Sequence, residues 1–220
     1  MANDVKSRFQ EGMQCLHSGD FQGASKKLEQ LADEGINNAM IVLNNAYTIQ
    51  GWPYPLSGGE TGERYIYRRL NDFADKNNPN AMIELGGILI GNNPRFDKNN
   101  FPTDPDAGIK MIEKGIEVAM NGEKPIGWIE YQAAADMFHT RAKQVYAELN
   151  VKKNHDEFLY LNKRMLELRE KTVDEVTADI KAAEAAGAPE QASELKGILD
   201  LTKKSLDAAK DMYEQAKKMA

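Results

Sequence analysis

The chain has one cysteine, Cys15, so it has no framework of internal disulfides, a pattern that fits a reducing compartment. Histidine is nearly as scarce: His17, His139 and His155 fall in separate segments, without the paired spacing that a zinc site needs. Aromatic residues make up 8% of 220 positions, and nowhere do eighteen apolar residues run together, so no membrane span is expected. Excess basic charge is also missing. A net charge of −6 argues against binding a phosphate backbone, which calls for lysine and arginine gathered on one face. The start, Met-Ala-Asn-Asp-Val-Lys, holds no apolar stretch of signal length, so a cytoplasmic location is expected.

What the chain does have is an apolar fraction of 41%, enough for a packed core, and a self-similarity at a spacing of 42 residues. Leu28, Leu31, Ala32, Asp33, Asn38, Ala39, Met40, Ile41 and Leu43 recur as Leu70, Phe73, Ala74, Asp75, Asn80, Ala81, Met82, Ile83 and Leu85. A fainter third copy places Ile112 and Glu113 where the first has Leu28 and Glu29. A period of this length marks an array of helical units, each burying its apolar face against a neighbour.

Apolar residues at helical spacing predict helix pairs up to residue 122. The expected helices run over 4–18, 21–34, 38–50, 60–77, 80–91 and 105–120, punctuated by Gly19-Asp20, Gly35 and the proline starts Pro79 and Pro105. A long helix over 126–150 follows, with Trp128, Tyr131, Ala134, Ala135, Phe138, Ala142 and Tyr146 expected against the array as a cap. Two further helices flank Gly187-Ala188-Pro189. Heptads of Leu159, Leu166, Val173 and Ile180, and of Leu199, Leu206 and Tyr213, predict an antiparallel hairpin whose second seam is weakened by Thr202, Ala209 and Ala216. The expected fold class is therefore all-α: a short α-solenoid of about three antiparallel helix pairs, a capping helix and a long C-terminal hairpin. Residues 1–150 form one expected unit and 151–220 a separable second.

The segments around Ala39, Leu43 and Tyr47 and around Ala81, Leu85 and Gly86, with Gly12 and Ala24 in the first unit, resemble the Sel1-like branch of the tetratricopeptide repeats over residues 4–122. Asn44 and Leu89 depart from that pattern, and the surplus length falls in the loops 51–59 and 92–104. The resemblance implies a non-catalytic adaptor that holds a protein or peptide in a concave groove. It places groove positions at Asn38, Asn45 and Thr48 in one unit and at Asn80 and Gly87 in the next. Small acidic bacterial proteins with such repeats also include toxin-neutralising partners, so an immunity or anti-defence role stands as an alternative. A structural oligomer joined through residues 151–220 is another.

Enzyme chemistry finds little support in the residues. Cys15 and His17 are two positions apart and point to different sides of a helix. The glycines at 58–62 and 86–87 lack a following Lys-Ser or Lys-Thr. Glu113 and Glu117 read as a solvated face. No cofactor and no metal are expected. The two long loops carry the remaining signal: Trp52 and Tyr54 in one, Arg95 and Phe96 in the other, residue types that anchor interfaces. These rings either meet a partner along one edge of the array or fold back over the core.

Overall fold

The computed structural model describes residues 2–48, 61–93, 96, 99–122, 126–152 and 154–219. Among them every regular element is a helix: α1 (Ala2–His17), α2 (Phe21–Asp33), α3 (Asn37–Thr48), α4 (Gly62–Asp75), α5 (Pro79–Ile90), α6 (Pro105–Met120), α7 (Trp128–Lys152), α8 (His155–Ala185) and α9 (Pro189–Met219). No helix among the described residues is long and apolar enough to cross a membrane.

The helix starts follow from local chemistry. The Asp20 carboxylate accepts from Gly23 N–H at 2.9 Å, Asn78 Oδ1 accepts from the N–H groups of Asn80 and Ala81 at 3.1 Å each, and Asp104 accepts from Ala107 N–H at 3.0 Å. Each satisfies amide groups that a first helical turn leaves open. Pro79, Pro105 and Pro189 each open a helix, where a missing N–H costs nothing.

Each helix packs on the next, and α5 also touches α7. Positions matched by the 42-residue spacing share a role in the core. Leu28 and Leu70, Leu31 and Phe73, Ala39 and Ala81, and Leu43 and Leu85 are all buried. The two copies then diverge: Ile41 is 40% exposed, whereas its counterpart Ile83 is 2% exposed. Ile83 belongs to a second apolar cluster with Ile112, Ile116, Ala134 and Phe138, so α6 and α7 cover a face of α5 whose counterpart on α3 is left partly open. Contact between α5 and α6 is close because Gly86 and Gly108 face each other. A Cβ on Gly86 would lie 2.5 Å from Ile112 Cγ1 and 2.7 Å from the Gly108 carbonyl oxygen.

In α7, Tyr131, Ala134, Ala135, Phe138 and Ala142 are buried as expected. Tyr146 is not; it is 57% exposed. Trp128 packs in a third cluster with Val176, Ile180 and Leu195, against α8 and α9 rather than against the first six helices.

The helix seams at the C-terminal end also differ from the leucine heptads. The buried run on α8 is Leu161, Asn162, Met165, Leu168, Arg169, Thr172, Val176, Ile180 and Ala183, so of the heptad positions Ile180 is buried while Leu159, Leu166 and Val173 are half-buried. On α9 the small positions Thr202, Ala209 and Ala216 are buried, and Leu199, Leu206 and Tyr213 stand partly exposed. Because α8 is packed by α7 and by α9, its buried surface is broader than one heptad stripe, and α9 meets it through Leu195 near the turn and through the short Thr202, Ala209 and Ala216 farther along. Leu161, Met165 and Leu168 share their cluster with Ile83, Ile112, Phe138 and Val145, so one apolar core crosses the expected boundary at 150.

Candidate functional site

The groove positions that the repeat resemblance implies do not form one open surface. Asn38 is exposed at the first turn of α3 and Asn45 is half-buried, whereas Asn80 is 4% exposed and its side-chain amide is buried with no hydrogen-bond partner. Gly87 lies beneath α7: a Cβ there would sit 2.5 Å from Met137 Cε. Asn80 and Gly87 therefore do not stand in an open groove. The helix from residue 128 lies along the C-terminal half of α5, with Gln144 Nε2 donating to the Ile90 carbonyl at 3.2 Å and Thr140 Oγ1 donating to Asn92 Oδ1 at 2.9 Å, and so covers Gly87.

Phe96 takes the second of the two placements open to its loop, folded back over the core. It is 4% exposed, edge-on to Phe101 at a centroid distance of 4.9 Å, and Phe101 stands 5.4 Å from the Tyr67 ring on α4. An apolar ring gains more from that aromatic cluster than from a solvated loop edge, and the backbone tether from Asp104 N–H to the Leu89 carbonyl at 3.0 Å closes the base of the loop. Trp52, Tyr54, Arg95 and the Thr48 side chain lie outside the described residues.

A different concavity is open. Between α6 and α8 runs a cleft of about 550 Å³ whose floor is Ile109 and the buried Leu161. Its α6 wall carries Asp106, Lys110, Glu113, Lys114 and Glu117, spaced three and four apart, and extends along about three helical turns. Its α8 wall presents Glu157 and the 42% exposed Tyr160.

Two arginines fix the walls. Arg141 of α7 reaches Asp106 at 3.0 Å and Glu157 at 2.7 Å, joining the first turns of α6 and α8. Arg164 grips Glu113 with two parallel bonds, Nε to Oε1 at 2.7 Å and Nη2 to Oε2 at 2.6 Å, and also pairs with Glu167. The Tyr160 hydroxyl donates to Glu113 Oε1 at 2.6 Å. Bidentate geometry of this kind is the stronger class of ion pair.

The electrostatics follow from that arrangement. Burial acts to raise the Glu113 pKa, but hydrogen bonds from Arg164 and Tyr160 outweigh it and hold the carboxylate below its usual range. Tyr160 is pushed up to about 12, first by burial and then by its bond to the Glu113 anion. The Arg164 guanidinium is raised, chiefly by the hydrogen bond to Glu113 and against the effect of burial. Glu113 is thus a structural anion and not the solvated acid expected from the sequence. What remains for a ligand is Lys110, Lys114 and Glu117, which make no ion pair with any described residue, together with the Tyr160 ring.

These cleft residues carry no recognisable sequence signal as a set. Charges spaced three and four apart look like any exposed helix face, and nothing local says that α8 will lie beside it.

Other reactive groups stand apart. Cys15 is half-buried against the first apolar cluster. His139 has its pKa lowered, first by burial and then by the nearby charges of Lys143 and Arg169. Among the described residues no group of three or more His, Cys, Asp or Glu side chains is placed to hold a metal ion. No protein-family model, curated protein or solved structure gives a significant match to the chain.

Proposed function

We propose that the chain is a non-catalytic binding protein that holds a segment of another protein in the cleft between α6 and α8. The observation that carries this reading is the cleft itself. It has an apolar floor, an exposed tyrosine, and two lysines one helical turn apart that no described residue neutralises, over a length suited to a peptide of several residues or a short helix. Its free charge favours a partner segment with acidic residues at matching spacing. In this reading the paired helices form a solenoid of the Sel1-like or tetratricopeptide kind that continues into α7 and α8. The last two helices form an antiparallel hairpin, supported by the meeting of Glu184 with Lys196 at 2.7 Å beside the turn between them.

The test uses the full chain as bait in host lysate beside two charge and contact variants, Lys110→Glu with Lys114→Glu, and Tyr160→Ala. A protein captured by the parent and lost by both variants, with helicity and melting preserved, supports the reading. Identical capture by all three removes the cleft from the interface.

A further inference from the structure

A second, smaller depression of about 320 Å³ is walled by three helices: Lys143 and Tyr146 from α7, Phe158 and Asn162 from α8, and Met212 and Met219 from α9. Its walls are apolar. The Tyr146 and Phe158 rings lie 5.6 Å apart and tilted, and Met219 is 40% exposed, so hydrophobic surface faces the opening. Two thioethers beside two rings make a wall that adapts to flexible apolar ligands.

Three polar side chains interrupt that apolar lining: Gln215 is exposed to solvent, while Asn162 and Lys143 each carry a polar group that the fold leaves without a partner. Asn162 is 0% exposed; its Nδ2 donates to the Phe158 carbonyl at 2.8 Å, which leaves Oδ1 buried without a partner. A buried acceptor left open is a standing cost to the fold, and a leucine at this helical position would carry none. Lys143 stands exposed at the rim and makes no ion pair with a described residue.

We propose that this pocket binds a small amphipathic carboxylate that carries a hydrogen-bond donor between its apolar body and its charge, the chemistry of an N-acyl amino acid. The acyl chain lies among Phe158, Met212 and Met219, the amide N–H meets Asn162 Oδ1 after a small shift of that side chain, and the carboxylate meets Lys143. The volume is near the small end of ligand sites, which sets the ligand at a compact size rather than that of a full lipid. This site is separate from the α6–α8 cleft and does not depend on the function proposed for it.

The probe is N-octanoylglycine, titrated into the full chain by calorimetry while the methyl resonances of Met212 and Met219 are followed. One saturable site with a Kd below about 1 mM is expected, with both methionine signals shifting. The methyl ester, which lacks the charge, and decanoic acid, which lacks the amide N–H, should each bind about tenfold more weakly. Lys143→Met should weaken the acid to the level of its ester without changing the ester. Asn162→Leu should reduce N-octanoylglycine to the level of decanoic acid and leave decanoic acid unchanged. Should the Asn162 variant lose helicity, Met212→Trp, which fills the cavity from a half-buried position, is expected to abolish binding in its place. Absence of a saturable shift at Met212 and Met219, or equal binding of acid and ester, overturns the proposal.

Discussion

Gly35 and Asn77 occupy the same left-handed turn 42 residues apart, with φ at +83° and +55°. The residue after each closes the preceding helix in the same way: Ile36 N–H donates to the Leu31 carbonyl at 2.9 Å and Asn78 N–H to the Phe73 carbonyl at 3.0 Å. The sequence repeat is therefore a repeat of backbone geometry as well as of apolar positions. Asn77 is the one non-glycine residue with positive φ among those described.

That turn predicts opposite effects at its two copies. Asn77→Gly should stabilise the chain by about 0.5–1 kcal/mol by relieving a conformation that side chains disfavour, and Gly35→Ala should cost about 1–2 kcal/mol by imposing it. Urea unfolding midpoints at constant slope provide the measurement. A destabilised Asn77→Gly would mean that the asparagine side chain contributes more than its backbone strain costs.

Much of the fold could be read from local grammar, because helix starts and stops depend on residues within one turn of the boundary. Gly35, Pro79, Pro105 and Pro189 all act where the sequence puts them, and the caps Asp20, Asn78 and Asp104 lie beside those signals. The face that each helix buries was readable only where one neighbour decides it. Ile41 and Ile83 have matching local sequences and opposite exposure, since only Ile83 is covered by α6 and α7. Gly87 and Phe96 are covered by contacts of the same long-range kind: a helix beginning near residue 128 lies over the first, and the second packs on Phe101, which meets Tyr67 of α4, and no periodicity encodes either contact. The α6–α8 cleft was invisible on the same grounds.

Two glycines should respond in opposite senses to alanine. Gly86→Ala places a methyl group against the backbone of Gly108 as well as Ile112, and overpacking of this kind costs about 1–3 kcal/mol. Gly197 sits inside α9 with nothing within 4 Å of the point where a Cβ would stand, so Gly197→Ala should gain about 0.5–1 kcal/mol from helix propensity alone. Thermal melts of the two variants beside the parent separate the effects. Equal tolerance of both changes would contradict the close approach of α5 and α6.

The Glu113, Tyr160 and Arg164 group predicts a sign at each end of the pH range. Glu113 has a folded pKa below 4.5, so its contribution is present above 4.5 and is lost as pH falls through the lower folded value. Tyr160 has a folded pKa of about 12 against 10.0, so its contribution is complete below 10 and is lost as pH rises toward 12. Glu113→Gln should flatten the acid limb of the stability profile, and Tyr160→Phe the alkaline limb. Profiles unchanged from the parent would show that the group does not act as a unit in solution.

Removal of the last two helices tests whether the core that crosses residue 150 is needed by the rest. In the intact chain Phe138, Ala142, Val145 and Leu149 of α7 are buried in one cluster with Leu161, Met165 and Leu168 of α8. A chain ending at 152 leaves that side of α7 in water, and each large side chain so exposed forfeits about 1.5–3 kcal/mol of burial. The expected result is a lower melting temperature, a broadened transition and strong binding of a hydrophobic dye. A chain ending at 186 keeps α8 over α7 and exposes mainly Trp128, Val176 and Ile180 of the third cluster, a smaller apolar surface than the core that α8 covers, so its dye binding should be weaker than that of the shorter chain. If the chain ending at 152 melts cooperatively at the parent temperature and binds no dye, the first seven helices fold independently and residues 154–219 are an accessory on their surface.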